Sequence, residues 1–178
     1  MNRLYKLLVF FLAVLVLQTY AQDTPKYVGA DKCKICHKKA EEGEQYKIWS
    51  ESKHASAMKT LASAEAKKIA KEKGIADPAK DAKCTKCHST FASVDAKMLD
   101  SKTKLTLDEG VSCESCHGPG SEYKSKKIMQ DEKLAIANGL VMPDEKTCKK
   151  CHNNESPTFK EFVFADAAKK IAHPIPKK

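Results

Sequence analysis

The chain has 178 residues, 31% of them charged and 7% aromatic, with a formal charge of +9. That length fits one domain behind a leader, and the few aromatics argue against a large self-sufficient core, since apolar burial supplies only about 25 cal/mol per Å². A basic chain invites a phosphate-binding reading, but its Lys residues are spread along the sequence instead of gathered into one arm, which speaks against nucleic acid.

The first segment reads as a secretory signal. Arg3 and Lys6 precede an apolar run from Leu7 to Leu17, and Thr19-Tyr20-Ala21 presents small residues for cleavage after Ala21 or Gln22. The run is shorter than the roughly 20 residues of a spanning helix. Residues 1–21 are expected as a signal peptide and 22–178 as one domain, periplasmic or otherwise exported, with no membrane span once the signal is cleaved. Cleavage would also remove two of the positive charges.

All eight cysteines fall into four motifs: Cys33-x-x-Cys36-His37, Cys84-x-x-Cys87-His88, Cys113-x-x-Cys116-His117 and Cys148-x-x-Cys151-His152. Two thiols at this spacing can add to the two vinyl groups on one porphyrin edge, with the next His beneath the iron. This is the attachment pattern of c-type haem. Structural zinc also uses Cys-x-x-Cys, but needs no His after every second Cys. Disulfides within such pairs would close only tiny loops. Four covalent haems, each a large apolar plate, are expected to form the core of a mainly α fold with little or no sheet. Their propionates would offset much of the positive charge, at about two negative charges per haem.

In chain order, the first motif precedes a helix expected from about Glu42 to Leu61, with Ile48 and Trp49 on its buried side and His54 among small residues. A second helix is expected over Ala64–Lys73, ending at Gly74, and Pro78 breaks the link to the second motif. Residues 89–109 alternate in character and suit a loop or a short hairpin. Gly118-Pro119-Gly120 forces a turn after the third motif. Ser125–Asn138 reads as a helix stopped by Gly139, and Ser156-Pro157 as an N-cap followed by proline at the first helical position. A last helix over Asp166–Ala172 ends at His173, before Pro174.

Four irons held on both faces need eight axial ligands, of which the motifs supply four. The only other histidines are His54 and His173, so at most two haems can be bis-His. His54 is either a sixth ligand or a surface residue. His173 is either a ligand or a helix C-terminal His favoured by the dipole. Met129 is the preferred thioether ligand, with core filling as its alternative, while Met58, four residues after His54, is expected to pack against the same haem as that histidine. Met-ligated haems sit at higher potential than bis-His ones, so a spread of potentials is expected.

The chain resembles the tetrahaem cytochrome c-554 family over nearly all of its length after the signal. The most specific pieces are Ser52-Lys53-His54-Ala55-Ser56-Ala57-Met58 and the run Gly110-Val111-Ser112-Cys113-Glu114-Ser115-Cys116-His117-Gly118-Pro119-Gly120. The family's haem packing is related to that of multihaem nitrite reductases and hydroxylamine oxidoreductases. The resemblance implies a mainly helical fold with haems in close stacked pairs, His54 serving the fourth haem with His152, and His173 serving the third with His117. It also implies a five-coordinate second haem, open opposite His88. One departure is evident: the family places a His for the first haem shortly after the Gly-Pro-Gly turn, where this chain reads Ser121 to Met129 without one. Met129 falls near that place, so His37 and Met129 are expected on the first haem. The expected function is single-electron transfer between unidentified redox partner proteins, without a catalytic residue set. The rival is an enzyme reducing nitric oxide or a related small nitrogen compound at the open haem.

Overall fold

The structure is a computed structural model that describes residues 24–174; the signal peptide expected over 1–21 lies outside the described residues. Among the described residues the chain forms eleven α-helices, the longest of nine residues, and three 3-10 turns. The only strand-like pairing described is one isolated parallel bridge, Tyr27 to Leu99. The fold is mainly α, as expected.

Local side-chain chemistry keeps the helices short. The helix expected from Glu42 to Leu61 is two, Gln45–Ser50 (α2) and Ala57–Thr60 (α3), following the first-motif helix Ala30–His37 (α1). His54 lies in the turn between α2 and α3, not on a helix. Serines there take over the backbone bonds. Ser52 Oγ accepts from the Ala55 N–H at 3.3 Å, and Ser56 Oγ donates to the Ser52 carbonyl at 3.2 Å, the competition that disfavours these residues inside helices. The His54 carbonyl also accepts the Val111 N–H at 2.9 Å. The stretch Ser125–Asn138 breaks similarly into Lys126–Met129 and Glu132–Ala137, because the Asp131 carboxylate caps the second helix at the Leu134 N–H, 3.1 Å away.

The helix expected to end at Gly74 does so. Ala64–Glu72 (α4) ends with Lys73 as its C-cap and Gly74 at φ +67°; Gly74 N–H meets the Lys71 carbonyl and Ile75 N–H the Ala70 carbonyl. That pair of bonds is the Schellman arrangement. Residues 89–109 form no hairpin: they hold the helix Thr90–Ser93 and 3-10 turns at Ala96–Met98 and Leu107–Glu109. No helix follows Ser156-Pro157 either. The chain makes a turn there and then runs extended, bringing Phe162 to 5.7 Å from the His152 ring. The last helix starts two residues early, Phe164–Ile171.

A polar knot joins the N-terminal strand-like segment to the third motif. Glu114, only 1% exposed, accepts from the N–H groups of Val28, Gly29 and Gly120 at 2.7–3.1 Å. Its carboxylate thereby satisfies three buried donors that would otherwise be costly. Thr90 Oγ1 accepts the Ser112 N–H at 2.7 Å, and Trp49 Nε1 donates to the Val111 carbonyl at 2.8 Å. Gly110, at φ +67°, lies against the His54 turn so closely that a Cβ there would sit 2.6 Å from the His54 carbonyl oxygen. The purely apolar core is modest, built around Val28, Met58, Leu61, Ile75 and Leu105, whereas Ile35, Phe91, Met142 and Val163 are exposed.

Candidate functional site

Three of the four motifs are carried whole by a short helix, which puts two thiols and an imidazole one turn apart on one side. Cys33 to His37 close α1, Cys84 to His88 close the helix Ala82–His88 (α5), and Cys113–His117 (α7) is itself a helix. Cys148 lies on Glu145–Lys149 (α10), with Cys151 and His152 just beyond. Two of these helices are firmly started: Asp81 caps α5 at the Lys83 N–H, and Asp144 with Thr147 forms a capping box on α10.

None of the eight thiols is in a disulfide. The fold brings thiols of different motifs together instead. The neighbouring Cys113, ahead of burial, pushes the Cys33 thiol strongly up. Burial, then the charge and hydrogen bond of Cys87, push Cys151 up to about 12. Burial and then the nearby Cys148 raise Cys116. Among the described residues no group of three or more His, Cys, Asp or Glu side chains converges as a zinc centre would require.

The histidines are set for metal. His88 Nδ1 lies 2.9 Å from the Ala57 carbonyl, with Thr60 Oγ1 at 3.3 Å, and His117 Nδ1 lies 3.0 Å from the Val141 carbonyl. His37 Nδ1 lies 3.1 Å from Gln45 Oε1. A carbonyl can only accept, so Nδ1 carries the proton in each ring and Nε2 is left with its lone pair for an iron. Sequence reasoning named none of these partners, because a backbone carbonyl has no residue-type signature and Gln45 belongs to no motif.

The two histidines outside the motifs each meet one inside. His54 faces His152 with ring centroids 6.1 Å apart, and His173 faces His117 at 5.8 Å. A metal–imidazole bond of about 2.0–2.1 Å on each side, plus the distance from each nitrogen to its ring centre, gives about 6 Å between centroids. Both pairs therefore have the spacing of two imidazoles on opposite faces of one iron, and the donor set fits haem. Burial, then the His152 charge, depresses the His54 pKa, while burial chiefly lowers those of His117 and His173. All three are held as neutral rings, the form that binds metal.

Met58 is buried on α3, which packs against the second-motif helix α5 through the Ala57 carbonyl. Met129 sits half-buried at the end of Lys126–Met129. Lys86 of the second motif pairs with Glu155, beyond the fourth, at 2.5 Å.

Short helices bearing Cys-x-x-Cys-His, with imidazoles facing one another at iron spacing, define a c-type cytochrome that holds haem c covalently. Residues 32–118 match the family described as Cytochrome c554 and c-prime, and residues 101–175 match Cytochrome c552. A cytochrome c-554 of Nitrosomonas europaea is 36% identical over 155 residues, covering 77% of this chain and 61% of the relative. This chain thus belongs to the cytochrome c-554 family, while spanning less than two thirds of that relative's length. No solved structure matches significantly. No helix among the described residues is long and apolar enough to cross a membrane.

Proposed function

We propose that this chain is an exported tetrahaem electron carrier that passes single electrons between redox partner proteins. The observation that carries this reading is that His54 faces His152 and His173 faces His117 at ring separations of 6.1 and 5.8 Å, beside four Cys-x-x-Cys-His motifs. Each haem, when bound, supplies a one-electron iron couple whose potential follows its ligands and burial. The polypeptide fixes the rest. Its eight Cys side chains would anchor four haems, one on each motif.

His152 with His54 would hold the iron of the fourth haem, and His117 with His173 that of the third. His37 with Met129 would hold the first, and His88 alone the second. The carbonyls of Ala57 and Val141 fix the proximal rings of the second and third sites and increase their basicity. Intact-mass measurement of the exported protein tests the stoichiometry. A mass increment of four haems per chain is expected, with the signal peptide absent; fewer than four overturns the tetrahaem reading. Rapid mixing of the reduced protein with nitric oxide tests the carrier role, where binding without turnover is expected and catalytic turnover would favour the enzyme.

A further inference from the structure

Gln45 is a buried polar side chain, 8% exposed, that belongs to no attachment motif. It opens α2 directly after two left-handed residues, Gly43 at φ +94° and Glu44 at φ +51°. A non-glycine residue in that region is uncommon and carries strain. The sharp reversal turns the Gln45 amide inward. Its Nε2 donates to the Pro174 carbonyl at 2.8 Å and to the Glu42 carbonyl. With two carbonyl acceptors on one side of the amide, that side must be the NH2, so Oε1 faces His37 Nδ1 at 3.1 Å and accepts its proton.

One side chain therefore touches two ligand-bearing segments. His37 is the motif histidine of the first site, and Pro174 directly follows His173, which faces His117 at the third. Close packing supports the tie. A Cβ on Gly43 would sit 2.9 Å from Gln45 Nε2 and 3.0 Å from Pro174 Cγ, so only glycine lets the C-terminal segment come this near. His88 and His117 are oriented by backbone carbonyls, whereas His37 is oriented by a side chain that substitution can change.

We infer that Gln45 is a positioning residue that holds His37 and the His173 segment in one hydrogen-bonded unit, tuning the first haem and seating the distal ligand of the third. The inference rests on the ligand reading proposed above. An acceptor on Nδ1–H makes the imidazole more basic and favours the oxidised iron. The tie to the Pro174 carbonyl holds His173 in reach of its site after the last helix has ended.

The test compares Gln45→Leu and the isosteric Gln45→Glu with the unmodified holoprotein, by redox titration followed with EPR and optical spectra. One potential is expected to rise in Gln45→Leu, which removes the acceptor, and to fall in Gln45→Glu, which strengthens it. Both variants lose the donor to Pro174, so both should convert part of the low-spin His117/His173 signal to high spin. Shifts in the same direction, no shift, or an unchanged low-spin signal would overturn the inference. A His173→Ala variant measured alongside separates the two readings. If it converts one low-spin haem while the Gln45 variants do nothing, only the role of Gln45 fails. If it converts none, the ligand assignment fails, and this inference with it.

Discussion

His54 and His152 lie 98 residues apart in the chain, yet their rings face each other edge to face at 6.1 Å, at an interplanar angle of 76°. His54 reaches that position from a serine-rich turn and not from a helix, held by the Val111 N–H on its own carbonyl. Replacing the imidazole leaves that backbone clamp intact, so His54→Ala should fold and bind its full complement of haem. Its EPR spectrum should lose one low-spin bis-His signal and gain a high-spin one. An unchanged spectrum would show that His54 is not a ligand.

Gly110 is the other half of the clamp. A methyl group there would meet the His54 carbonyl at 2.6 Å and the Ala55 carbonyl at 2.7 Å, on a backbone at φ +67°. Gly110→Ala must push the His54 turn away, with overpacking costing about 1–3 kcal/mol in addition to the left-handed strain. Denaturant unfolding should show that loss, together with a weakened low-spin signal from the His54/His152 pair. Full stability would contradict the packing described.

The four Cys-x-x-Cys-His motifs, the Gly74 helix stop and a last helix ending close to His173 were legible in the sequence, because each rests on residue type and short spacing, whereas the turn expected at Gly118-Pro119-Gly120 falls over residues 121–123 instead. The breaks within Glu42–Leu61 and Ser125–Asn138 were not. The first depends on Ser52 and Ser56 bonding to backbone, and on a tertiary bond from Val111 to His54. The second turns on Asp131 acting as a cap where the apolar pattern ran on. The partners of Nδ1 were equally hidden, since carbonyls of Ala57 and Val141 become neighbours of His88 and His117 only through the fold.

Glu114 takes part in no proposed chemistry but ties three N–H donors together in a buried site. Glu114→Ala strands those donors, and leaving a buried donor without its acceptor costs about 1–3 kcal/mol. Thermal unfolding of the holoprotein should fall accordingly. A change below about 0.5 kcal/mol, usual for a surface site, would argue against the buried knot.

Glu109 gives a pH signature. Burial chiefly, with the charges of Glu114 and Asp31, raises its pKa to about 7, against the partial relief of the Ala30 N–H. A carboxyl raised in the folded state binds more protons there than in the unfolded chain, whose value is near 4.5. Stability from this group is therefore lost as pH rises from about 4.5 to 7, and the penalty is complete above the folded value. Glu109→Gln should flatten that part of the stability–pH curve and make the protein more stable than the parent at pH 8. An unaltered profile would show that Glu109 is not held neutral.

On the proposed ligand set, six histidines serve four haems unequally. Low-temperature EPR with optical spectra of the purified oxidised protein, repeated on Met129→Ala, reads that inequality. Two bis-His low-spin haems, one high-spin haem and one His/Met haem are expected, with the signal and high potential of the last lost in Met129→Ala. Four equivalent low-spin haems, or spectra and potentials unchanged by that substitution, would contradict it.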